Sequence, residues 1–268
     1  MGASKESFRL KRIYKLSKIH LIIPDSHAHW QHHNKRAEYL GKLINDVKPD
    51  VVIHLGDSAD MPSLSGYDKG TKSFQGRTYR ADIDAHLDFN YRLWDTVKSA
   101  KRKLPRRVIL EGNHEYRIKR AINLSPELEG AISPNDLDMY RFYDEYVEYN
   151  GRSPGTIEID GINYAHFFIS GVMGKAIGGV HAAYSIIQKM HGSSTAGDLH
   201  LLSYDVQTGI GGKKIQGMVA GCYQDFDADW AGEANKLWWR GVIVKRNVSN
   251  GNYDPSFISI DALKKEYS

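Results

Sequence analysis

Three short apolar runs constrain this chain most: Leu21-Ile22-Ile23, Val51-Val52-Ile53-His54-Leu55 and Arg107-Val108-Ile109-Leu110-Glu111. Each has the length and composition of a strand. Between the first two lies Asn34 to Val47, with Ala37, Leu40, Leu43, Ile44 and Val47 at helical spacing, Asn34 available as a cap, and Pro49-Asp50 to end it. Between the last two lies Asp84 to Lys103, with Leu87, Tyr91, Trp94 and Val97 near helical spacing and Pro105 to close it. Strand, helix, strand implies a right-handed crossover and parallel pairing, so the chain is α/β. All three runs end in polar residues: Asp25-Ser26-His27, Gly56-Asp57 and Gly112-Asn113-His114-Glu115. Ligands of α/β sheets bind at the carboxyl ends of strands, and these ends can converge there. Asp25 and His27 are two positions apart, so alternation sends both toward one point, such as a divalent metal.

The remainder is less periodic. Met61 to Arg80 reads as a long polar loop, and Tyr116 to Tyr149 as helical and partly irregular. Thr156 to Ile159, the Asp160-Gly161 turn and Ile162 to Phe168 give a hairpin signal, with His166 in its second strand. A glycine-rich connection (171–179), a helix (Val180 to His191) and Ser193 to Ala196 lead to Gly197-Asp198-Leu199-His200, after which Leu201 to Ile260 reads mostly as strands. No repeat or linker divides the 268 residues. One domain is expected over 1–268, with 1–18 as a basic extension and 201–268 as its β-rich end.

Composition excludes several classes. A net charge of +4 does not by itself mark a nucleic-acid binder, and the basic run from Lys98 to Arg107 reads as a solvated helix end. One cysteine, Cys222, rules out an intrachain disulfide and a thiolate zinc cluster. No stretch is long and apolar enough to span a membrane. The start lacks a signal-peptide core, and Glu6 breaks the myristoylation pattern, so a cytoplasmic location is expected.

The polar strand-end residues are, in order, Asp25, His27, Asp57, Asn113, His114, His166, Asp198 and His200. Carboxylates, imidazoles and one amide suit manganese, iron, zinc or nickel, unlike an all-oxygen calcium cage. Eight candidates are too many for one metal and about right for two that share a carboxylate. Two metals about 3.5–4 Å apart polarise a phosphoryl oxygen and activate a water for in-line displacement. Among other histidines, His181 and His191 are rival ligands read as surface or core-satisfying residues on or beside a helix, and His54 as a packed, hydrogen-bonded side chain. His29, His32 and His33 either line a groove or belong to a solvated loop. Trp230, Trp238 and Trp239, with Tyr223, are expected in the core rather than as a base-stacking platform.

Taken in order, Asp25-Ser26-His27, Gly56-Asp57, Gly112-Asn113-His114-Glu115, a lone strand histidine and a terminal Gly-x-x-His resemble the calcineurin-like metallophosphoesterases, from about Ile19 to His200. Ser63 to Gly70 is similar to phage and prophage members of that family. The resemblance implies a β-sandwich of two mixed sheets flanked by helices, in four layers α/β/β/α. It implies two divalent ions, with Asp25, His27 and His200 on the first, Asn113 and His166 on the second, and Asp57 bridging. His114 would be no ligand but would stabilise the transition state or protonate the leaving alkoxide, oriented by Glu115 or a neighbour; Asn113, His114 and Glu115 would meet the substrate. A metal-bridging hydroxide would attack phosphorus directly. The family usually ends in Gly-His-x-His, whereas Asp198 stands where a second-metal histidine belongs. As a ligand it favours manganese or magnesium over zinc; otherwise it is an outer partner of a weakened site. The expected activity is a phosphodiesterase or nuclease acting on nucleic acid or nucleotides. The alternatives are a phosphomonoesterase (nucleotidase or protein phosphatase) and a non-catalytic binding module with the same fold.

Overall fold

Alternation along β1 (Lys18–Ile23) divides the molecule into its layers. Leu21 and Ile23 face one side, with Val52, Ile109, Val242 and Val244 from neighbouring strands; Ile22 faces the other, with Ile53, Val108, Leu110 and Ile243. The computed structural model describes residues 17–67 and 69–268. Nearly all of the expected basic extension, and Asp68, lie outside the described residues.

The first sheet runs β13-β12-β1-β2-β3-β4, with β2 Val51–His54, β3 Arg106–Leu110, β4 Glu145–Val147, β12 Gly241–Ser249 and β13 Asn252–Ser259. Strands β1 to β4 are parallel, and β12 joins β1 antiparallel. Helices α1 (Arg36–Val47), α2 (Tyr79–Ser99) and α6 (Ile260–Tyr267) cover its outer face. The second sheet runs β10-β11-β9-β6-β5, with β5 Thr156–Ile159, β6 Ile162–Ala165, β9 Ser194–Ala196, β10 Leu202–Thr208 and β11 Lys214–Ala220. Helix α5 (Ala182–Met190) covers it, packing Ala182 and Ile186 on Ala165, Ala196 and Val219. Between the sheets Ile22, Ile53, Leu110, Ile162, Tyr164, Met218 and Ile243 are buried, each such side chain contributing about 1.5–3 kcal/mol. The order helix, sheet, sheet, helix is the expected four-layer α/β/β/α sandwich.

Several local expectations are corrected. The segment read as helical over Tyr116 to Tyr149 holds α3 (Tyr116–Leu124), the single turn α4 (Met139–Phe142) and then β4, whose edge position asks for only one pairing partner. Helix α2 begins five residues early because Thr78 caps it, accepting from the Ala81 amide. Asn34 does not cap α1; its amide donates to the Ala85 carbonyl and the Asp88 carboxylate. The basic run is not a helix end throughout. Helix α2 stops at Ser99, and Arg106 and Arg107 lie in β3, paired with Glu145 and Asp144. The polar loop 61–80 contains two short 3-10 turns, Pro62–Leu64 and Lys72–Phe74. The glycine-rich connection contains the small hairpin β7 (Ile169–Ser170) and β8 (Lys175–Ala176). Tyr223 is core as expected, but Trp230 is 68% exposed and Trp238 and Trp239 are half-buried. Among the described residues no helix is long and apolar enough to cross a membrane.

Candidate active site

Parallel pairing brings the carboxyl ends of β1, β2 and β3 together, since Ile23 aligns with His54 and His54 with Ile109. Beyond the strands the chain keeps pairing: the amides of His27 and Ala28 donate to the carbonyls of Asp57 and Ser58. On the second sheet β6 and β9 are also parallel, with Ala165 beside Ala196, so His166 and the turn 197–200 emerge side by side. All eight predicted residues meet at this edge.

The first cluster is Asp25, His27 and His200. The two Nε2 atoms of His27 and His200 are 3.1 Å apart, and Asp25 Oδ2 is 3.3 Å from His200 Nε2. The second surrounds Asp57. Its Oδ2 is 3.4 Å from His166 Nε2 and 3.8 Å from both His27 Nε2 and His114 Nε2. His166 Nε2 is in turn 2.7 Å from Asn113 Oδ1 and 3.6 Å from Asp198 Oδ1. Asp57 thus lies between the two histidine groups.

Backbone strain concentrates here. His27, Asp57, Asp198 and His200 have φ of 42°, 49°, 65° and 58°, in the left-handed region that costs non-glycine residues about 1–3 kcal/mol each. The turns that impose this strain aim the side chains inward. Two glycines allow the close packing it needs: a Cβ at Gly112 would land on the Asp57 carboxylate, and one at Gly197 on Asp25 Oδ1.

A second set of groups fixes the first. His166 Nδ1 donates to the Leu55 carbonyl at 2.9 Å, which fixes the ring and aims Nε2 into the site. Asp25 Oδ2 accepts from the Asp198 amide, and Asp57 Oδ1 from the His114 amide. Glu115 does not meet the expectation of a substrate contact. It is buried, and its carboxylate accepts from the amides of Asp57, Ala59 and Gly112, pinning the β2 and β3 loops together. The residue that orients His114 is instead Asp60. Its Oδ1 lies 2.9 Å from His27 Nδ1 and 3.3 Å from His114 Nδ1, and its carbonyl accepts from His114 Nδ1. Arg117 is the other group not singled out from the sequence: Nη2 donates to His114 Nε2 at 2.9 Å and Nη1 to the Asp60 and Met61 carbonyls. Their signals were present, Asp60 three residues beyond Asp57 and Arg117 one helical turn beyond His114.

The charges follow from this geometry. Burial alone would raise Asp57, but the imidazoles of His114 and His166 hold it well below the usual carboxylate range. For Asp60, hydrogen bonds from His114 and His27 likewise overcome burial. For Asp25 the His200 hydrogen bond does so, with a smaller net lowering. Burial would lower His166, yet Asp57 raises it well above an ordinary imidazole. Burial raises Asp198 and Glu115, the latter to about 7 with help from the Asp57 charge.

These residues fit divalent cations. Asp25 Oδ1 and His200 Nδ1 are buried without a protein partner among the described residues, and the two Nε2 atoms of the first cluster face each other beside the Asp25 carboxylate, a donor set that can close on a cation. Asp25, His27 and His200 form one buried group that can hold a metal, and Asp25, Asp57 and His166 another; His27, Asp57 and His114 form a third. Elsewhere, His54 is buried on Ser26 Oγ, and His181 and His191 are exposed at the two ends of α5. His29 borders the site, 3.7 Å from Asp60, and His32 stacks on Phe226; His33 is exposed.

Comparison with known proteins gives a family match and a weak structural one. The family model for calcineurin-like phosphoesterases (Metallophos) matches residues 20–241. No curated protein matches the chain. A crystal structure of TT1561 from Thermus thermophilus aligns with 90% of this chain and 98% of its own, at 10% identity and a TM-score of 0.34.

Proposed function

The chain belongs to the calcineurin-like phosphoesterase family, hydrolases that act on phosphate esters with two metal ions, and from that premise we propose a phosphodiesterase or nuclease acting on nucleotides or nucleic acid. The observation that carries this reading is Asp57 Oδ2, within 3.8 Å of imidazole nitrogens from both ligand groups and so able to serve two cations at once. Asp25, His27 and His200 would hold one cation; Asn113, His166 and Asp198 would hold the other. When bound, the pair supplies Lewis acidity toward the phosphoryl oxygen and a nucleophilic water at neutral pH. The carboxylate at Asp198 hardens the second site and favours manganese or magnesium.

His114 stands apart from the ligands in this assignment, because its Nε2 accepts from Arg117. A phosphate oxygen entering the site takes over the Arg117 hydrogen bond and frees Nε2 to take up a proton from solvent, which makes the ring an imidazolium. Asp60 then stabilises the imidazolium through Nδ1, and His114 passes the Nε2 proton to the leaving alkoxide. Arg117 remains on the phosphate, neutralising charge that develops on the non-bridging oxygens.

The polar loop 61–80 and its similarity to phage members support a nucleic-acid or nucleotide substrate. The run 98–107 supports it less than its composition suggests, because Arg106 and Arg107 are neutralised within the sheet and Lys98 faces Asp95. That neutralisation favours the second reading, a phosphomonoesterase. An activity panel separates them: single- and double-stranded DNA, RNA, cyclic nucleotides and phosphomonoesters, each with added manganese, magnesium, zinc or nickel. Cleavage of diesters with manganese, and polymer binding that weakens steeply with salt, is expected. Turnover confined to monoesters overturns the diesterase assignment.

A further inference from the structure

We propose that Trp230 and Trp238 form a stacking shelf for a nucleobase of the substrate, next to the first cluster; the proposal rests on the diesterase reading above. Trp238 meets the His200 ring edge-on, with centroids 4.3 Å apart at 83°. Trp230 lies 5.7 Å beyond Trp238, tilted at 51°, and is 68% exposed. Two ring contacts therefore lead from a candidate ligand to open solvent.

The shelf is held in place. The Trp239 amide donates to the His200 carbonyl at 3.0 Å, tying the segment to the ligand turn. Asn235 clasps the segment on itself: its amide donates to the Ala228 and Gly232 carbonyls, and its Oδ1 accepts from the Ala228 amide. Arg240 lies over the Trp238 ring at 5.9 Å and is paired with Asp227. The backbone that carries Trp230 is thus fixed, and the exposed face of its ring is open to a partner. The occupant's chemistry follows from the surroundings. A ring pair that begins at His200 and carries the Arg240–Asp227 ion pair over Trp238 suits a group with an apolar face and a polar edge, joined to a phosphate. A nucleobase on its sugar has that form, and stacking on a tryptophan tolerates any base.

The test compares thymidine 5′-(p-nitrophenyl) phosphate with the 5-(p-nitrophenyl) phosphate of 1,2-dideoxyribose, which share a leaving group and a sugar and differ in the base. The ratio of their kcat/KM values should exceed about tenfold in the wild type, fall toward one in Trp230→Ala, and be largely retained in Trp230→Phe. Because Trp230 is exposed, its loss leaves the core intact. A parallel measurement without turnover follows the fluorescence anisotropy of a labelled oligothymidylate and its abasic counterpart. The wild type should prefer the oligomer with bases, and Trp230→Ala should lose that preference. A wild-type ratio near one, or a ratio unmoved by Trp230→Ala, overturns the shelf. If neither ester is cleaved, the diesterase reading has failed and the anisotropy arm alone decides: no base preference there overturns the shelf too.

Discussion

Asp60 holds two imidazoles with one carboxylate, facing His27 Nδ1 at 2.9 Å and His114 Nδ1 at 3.3 Å. Losing its charge would loosen a ligand and the proposed proton donor together. Asp60→Asn is therefore expected to lower kcat and metal affinity by about 10- to 100-fold, the usual cost of removing a group that orients a metal-bound histidine. Steady-state kinetics and competition with a chelator measure the two effects; wild-type values of both would refute the role. Asp198 is tested by metal content. Asp198→Ala should retain one tightly held cation per chain, and two retained by the variant would remove Asp198 from the ligand set. Much of this site was legible in the sequence, because Asp25, His27, Asp57, Asn113 and His114 each follow directly on an apolar strand. Asp60 and Arg117 were not, because what they touch depends on how the β2 and β3 loops cross. Glu115 was misjudged for a related reason: its neighbours face the site while its own carboxylate turns inward onto backbone amides.

At the scale of elements, the start of the polar loop is fastened to α2 by Asp82, whose buried carboxylate accepts from the Ser63 amide. Burial pushes Asp82 up from 3.8 to about 6. The folded protein then binds this proton more tightly than the unfolded chain. The corresponding stability is complete below about pH 4 and is lost as pH rises through about 6, a swing of about 3 kcal/mol. Asp82→Asn should abolish that swing and raise the thermal midpoint at pH 7 by several degrees relative to wild type at equal metal loading. A variant less stable than wild type at pH 7 would contradict it. The types of β1 to β3 and of the helices between them followed from periodicity, whereas element ends and the short strand β4 depended on contacts that periodicity does not carry. Thr78 starts α2 earlier than its apolar residues suggest, and β4 is a strand of three residues that pairs with β3 alone among the described residues. Arg106 and Arg107 belong to a strand because Glu145 and Asp144 await them, a pairing invisible within the run itself.

For the whole molecule, the two sheets bring five strand ends to one edge, and the candidate ligand groups lie where they meet. The α/β class was legible because β1 to β3 alternate with helices. The second sheet was harder to read, since β6 and β9 are parallel neighbours separated in sequence by a hairpin and a helix. That pairing is what carries His166 and His200 across to the first sheet's aspartates, and it makes the site a test of the architecture as well as of the chemistry. The central claim is that two cations held around Asp57 cleave phosphodiesters. The most direct measurement is metal content per chain, together with hydrolysis of bis-p-nitrophenyl phosphate, for wild type and Asp57→Asn after reconstitution with manganese. The account predicts two cations and turnover in the wild type, with fewer cations and no turnover in the variant; full activity in Asp57→Asn would contradict it.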